Sequence, residues 1–88
     1  MDNQVSANID IIDNAGTYII TFFTGFNGAS PTYKFQDRET IIHVLSQMGI
    51  TESEINDAIT NRTCIQRERL DQRKLEIVLA PYAVRERE

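Results

Sequence analysis

Apolar and polar positions change period along the chain, and the changes mark its elements. Val5, Ala7, Ile9 and Ile11 alternate with Ser6, Asn8 and Asp10, the two-residue period of a half-buried strand. Asp13-Asn14-Ala15-Gly16 is turn sequence, because Asn and Asp bond their own backbone and Gly accepts a positive φ. Thr17 to Thr24, TYIITFFT, is almost wholly β-branched or aromatic and predicts a second strand, antiparallel to the first. Tyr18, Ile20 and Phe22 are expected to face a helical layer. Ile19, Thr21 and Phe23 share the opposite face. Apolar residues there need a further layer, or they form an exposed binding or self-association surface. A loop, GFNGASP (Gly25 to Pro31), leads to Thr32–Phe35, a short third strand with Tyr33 and Phe35 inward.

From Asp37 to Arg62 the period lengthens to 3.6. Asp37 is a good N-cap, and Glu39 adds negative charge near the positive end of the first helix. Ile41, Val44, Leu45 and Met48 form one apolar stripe, which Ile42 widens. Gly49 stands where a left-handed residue ends a helix, with Ile50 packing back after it. Thr51 and Glu54 then spell a capping box, and Ile50 and Ile55 a hydrophobic staple. Ile55, Ala58 and Ile59 are the buried face of this second helix, and Asn61 its stop.

The rest of the chain is less regular. Thr63 to Leu70 fits neither period well and is read as a strand, with Leu70 to Arg73 as a turn. Leu75, Ile77 and Leu79 alternate with Lys74, Glu76 and Val78 and predict a last strand, ended by Pro81. The expected fold is α+β, a single domain over 1–88. An antiparallel sheet of three to five strands, in the order β-β-β-α-α-β-β, carries a two-helix hairpin on one face. Residues 1–4 and 85–88 are expected to fray.

Composition narrows the classes of function. With 88 residues, one small core is the ceiling. The single cysteine excludes an internal disulfide and a cysteine zinc cage. No basic, apolar leader and no membrane-length apolar run is present, which makes a cytoplasmic location the expectation. The net charge of −4 is uneven. Residues 1–61 hold two basic residues against eight acids, and residues 62–88 hold seven against five. An acidic body disfavours nucleic acid and anionic membrane, because Lys and Arg supply most of the affinity for phosphate.

Candidate chemistry is sparse. LSQMGITESEINDAI has the outline of a DNA-reading helix-turn-helix. Its second helix, however, offers Glu52, Glu54 and Asp57 with no Lys or Arg, and its first holds a bulky Leu45 where such motifs favour a small residue. The G-x-x-G of the loop lacks the lysine and following helix of a phosphate loop. His43, the sole histidine, is expected to face solvent with no metal-binding companion, and Cys64 is expected to be partly buried. Neither an enzyme, a cofactor nor a metal site is predicted.

The preferred reading is a small non-enzymatic protein-binding module, an accessory, regulatory or inhibitory protein occupying another protein's surface. Its contact residues would be Ile19, Thr21 and Phe23 on the outer strand face and Phe26 and Asn27 in the loop. Arg67, Arg69, Arg73 and Lys74 would add a basic patch, with Arg67 and Arg69 on one strand face and Glu68 on the other. Glu52, Glu54 and Asp57 would add an acidic helix face able to imitate nucleic acid. The alternative is a nucleic-acid-binding protein using the Arg-rich segment 62–74 or the atypical helix-turn-helix. Homodimerisation through the Phe23 face is compatible with either.

Overall fold

The structure is a computed structural model and describes residues 4–23 and 31–84. Strand β1 (Gln4–Asn14) turns into β2 (Thr17–Phe23), and β3 (Thr32–Phe35) follows. Helices α1 (Arg38–Ser46) and α2 (Glu52–Asn61) lead to β4 (Ile65–Asp71), helix α3 (Gln72–Leu79) and a 3-10 turn, Ala80–Tyr82. The strands form one antiparallel sheet in the order β3-β2-β1-β4. Gln4, expected to fray, pairs with Asp71 and starts the first strand. The α+β class, the antiparallel sheet and the helix pair agree with the sequence reading.

The β1–β2 connection is a two-residue loop with positive φ at both Ala15 (55°) and Gly16 (89°). That is the type I′ geometry whose twist suits a tight hairpin. Asp13 Oδ1 accepts from the Gly16 N–H at 3.3 Å.

The helix pair forms as its caps dictate. Asp37 Oδ1 accepts from the Thr40 hydroxyl (2.7 Å) and from the Thr40 N–H (2.8 Å), which in that order hold the Asp37 carboxyl below its usual range. At the end of α1 the Ile50 N–H reaches the Leu45 carbonyl and the Gly49 N–H the Ser46 carbonyl. With Gly49 at φ 81° this is a Schellman closure. Both halves of the Thr51/Glu54 capping box are made. Ile50 and Ile55 are buried, as a staple requires.

All described helices pack on one face of the sheet. Ile9, Ile20, Phe22 and Phe35 from the strands meet Ile41, Leu45, Ile55 and Leu79 in one core. Phe22 and Tyr33 meet edge to face, with ring centroids 5.6 Å apart. Burial, with the Glu76 carboxylate as a lesser cause, pushes the Tyr33 hydroxyl above its ordinary pKa.

Two departures from the sequence reading lie in the last third. The predicted strand through Leu75, Ile77 and Leu79 is helix α3. Asp71 caps it, its side chain accepting from the Lys74 N–H at 3.2 Å. Leu75, Val78 and Leu79 form the packed stripe at helical spacing, while Ile77 is 68% exposed. The segment satisfies both periods, and a side-chain cap at Asp71 followed by straight-chain Gln, Arg, Lys and Leu decides for the helix.

The second departure is a β-bulge. Val5 pairs with Leu70 and Ala7 with Arg67, so Ser6 alone stands opposite both Glu68 and Arg69. Ser6 Oγ donates to the Glu68 carbonyl at 3.3 Å. The extra residue breaks the alternation. Ile65, Arg67 and Leu70 all address the helical side, and Arg69 does not share a regular strand face with Arg67.

Candidate functional site

The sheet face away from the described helices is built from the residues that the core leaves out. The pairings Ile12↔Ile19 and Ile19↔Lys34 set Ile12, Ile19 and Lys34 in one row across β1, β2 and β3. Asp10↔Thr21 and Thr21↔Thr32 set Asp10, Thr21 and Thr32 in the next, and Asn8↔Phe23 with Asn8↔Gln66 in the third. No described helix covers this face. Ile12 is 51% and Phe23 47% exposed, and Ile19 is half-buried by its neighbours. The result is an apolar step, Ile12–Ile19, and an isolated Phe23, set among threonines and flanked by Lys34 and Asp10.

The sheet's edges are less available than this face. Beside β3, Ala83 bridges Tyr33 and the Val84 N–H donates to the Thr32 carbonyl at 3.0 Å. Tyr82 stacks on Phe35 there, 4.4 Å between centroids. β4 is bulged and carries Arg67, Glu68 and Arg69, devices that discourage strand-to-strand addition. Near Phe23 and the bulge the surface dips into an open depression of about 920 Å³ lined by Ser6, Asn8, Phe23, Gln66 and Arg69 among others.

The structure separates the other predicted residues. Phe26 and Asn27 lie outside the described residues. Ile19, Thr21 and Phe23 do stand together, and Ile12 joins them; the sequence reading followed the inward series Val5, Ala7, Ile9 and Ile11 and assigned Ile12 no role. Its signal was Ile12's place in the outward series Asn8, Asp10, Ile12.

On α2, Glu52 and Asp57 are exposed, but Glu54 is engaged. Its Oε1 accepts from the Thr51 N–H at 3.0 Å and pairs with the Arg67 guanidinium. Arg67, then the Thr51 N–H, pull the Glu54 carboxyl down to about 2. The pair therefore removes one member from the acidic face and one from the basic patch. Arg69 and Lys74 come together at a small hollow with Gln47, Met48, Leu70 and Asp71, and Arg73 is exposed on the first turn of α3.

Arg38 ties the two layers together. It lies over the Tyr18 ring, 5.9 Å from its centroid, and donates to Asn56 Oδ1 at 3.1 Å. His43 is exposed on α1, as its position on the helix predicts. Cys64 is exposed, not partly buried, because it precedes β4 at the surface end of the α2–β4 connection. Among the described residues no three His, Cys, Asp or Glu side chains gather as a metal site. No described helix is long and apolar enough to cross a membrane.

Fold and face together define a class: a two-layer α+β domain whose sheet has one face that no described helix covers. Compared with known proteins, the chain matches no protein-family model, no curated protein and no solved structure.

Proposed function

We propose that the protein is a small non-enzymatic protein-binding module that acts as an accessory or regulatory protein by occupying another protein's surface. The observation that carries this reading is the open sheet face, where Ile12 and Phe23 are each about half exposed on rigid, paired strands. Large apolar side chains held in fixed register, ringed by polar groups, suit desolvation against a partner. A strand face presents them without ordering cost, since the sheet holds them in place before contact.

The test is affinity capture from host lysate with the tagged protein and with a double variant, Ile12→Asp and Phe23→Asp. Both substituted positions are exposed, so circular dichroism should show the variant folded. The expected outcome is one protein retained by the wild type at high salt after nuclease treatment and lost with the variant. Retention by both alike, or recovery that depends on nucleic acid, would refute the reading.

A further inference from the structure

We infer that this face also accommodates a second copy of the same chain, placed sheet to sheet by a two-fold axis running along β2. The inference rests on the reading of the open face as a protein-binding surface and goes beyond it by naming a further occupant. Its basis is charge arrangement. Lys34 on β3 and Asp10 on β1 are the charges flanking β2 at mid-strand, on opposite sides, one row apart. Among the described residues neither takes part in an ion pair.

A two-fold axis along β2, between two apposed sheets, lays β3 of each copy over β1 of the other. Lys34 then stands above Ile12 of the second copy, one row from its Asp10. That step is two residues, about 7 Å along the strand, within the sweep of a lysine side chain. The same operation brings Asp10 to Lys34 of the second copy, so the pair is made twice, as an isologous contact requires. Ile19 meets Ile19 on the axis, and the Ile12 side chains cover the Lys34 stems. Aligned sheets pack about 10 Å apart in this way. β2 over its seven residues, with β1 and β3 overlapping across the four of β3, gives a footprint of about 250 Å² on each copy, far below the standard size for a stable complex. The dimer is therefore weak and concentration-dependent.

The experiment is sedimentation equilibrium of the full chain from micromolar to millimolar concentration, on wild type, Lys34→Glu, Asp10→Lys and an equimolar mixture of the two variants. The wild-type mass should climb from 10.1 kDa toward twice that value. Each variant alone sets like charges together and should weaken association by about tenfold or more. The mixture should recover it, because one chain then supplies two acids and the other two lysines at the paired positions.

A wild type that stays monomeric at millimolar concentration overturns the inference. So does a dimer indifferent to the two charges, or a mixture no better than its parts. A monomeric wild type whose Ile12→Asp, Phe23→Asp double variant still loses its captured partner would sink the second-copy proposal alone and leave the binding-face reading standing.

Discussion

Glu54 joins local and tertiary structure, and replacing it by Gln separates the two contributions. The amide oxygen of Gln can still accept from the Thr51 N–H, so the cap is largely kept, while the charge opposite Arg67 is lost. A fall of the Glu54 carboxyl from 4.5 to about 2 corresponds to about 3 kcal/mol if unscreened. The side chain is 37% exposed, however, and solvent screening reduces this to about 1 kcal/mol.

The folded-state pKa is depressed, so the stabilisation is fully present above pH 4.5 and disappears as pH falls through the window down to about 2. Urea unfolding followed by circular dichroism at pH 7, 4 and 2.5, at low salt, measures it. Glu54→Gln should be about 1 kcal/mol less stable than wild type at pH 7, with a gap that narrows at pH 4 and is nearly closed at pH 2.5. A gap unchanged across the series would show that the contact between α2 and β4 is packing and hydrogen bonding without an ionic component.

Three further outcomes follow from particular positions. Ala15 carries a positive φ without being glycine; Ala15→Asn should raise stability by about 1 kcal/mol and the melting temperature by roughly 5 °C, read by thermal unfolding. On α3, Leu79→Ala should cost about 2–5 kcal/mol, whereas Ile77→Lys should change unfolding by less than about 0.5 kcal/mol; a strand with both residues inward would make the two comparable. Thr51→Ala should lose about 1 kcal/mol in urea unfolding, because α2 then begins without its side-chain acceptor.

The helix pair was legible almost to the residue because its determinants are local. Asp37, Gly49, Thr51 and Glu54 each act within five residues of the groups they bond, and sequence order displays that directly. The hairpin and β3 were legible for the same reason. Segment 65–71 was read as a strand, which it is, but the facing of its side chains was not legible, because that depends on β1. The spacing Ile65, Arg67, Leu70 is irregular when read alone and becomes regular once Ser6 stands opposite two residues.

The α3 segment fits two periods at once, and the Asp71 cap that selects the helix was read as part of a turn. The Glu54–Arg67 pair spans a break between elements, so nothing in either segment announces it. The open face was half legible. The doubly apolar β2 was evident, but Ile12 required knowing that β1 runs on to Asn14.

The closing of the β3 edge by Ala83 and Val84 gives the chain a direction in time. During synthesis β1, β2 and β3 emerge first, and the hairpin can form while α2 is still being made. The strand that α1 follows nevertheless keeps a free side until residues some fifty positions later arrive, and Phe35 lacks its stacking ring until Tyr82 does. The nascent chain therefore passes through a stage in which most of the sheet exists with one border unfinished. The arrival of Ala83 and Val84 at β3, rather than the making of the hydrophobic centre, closes that border.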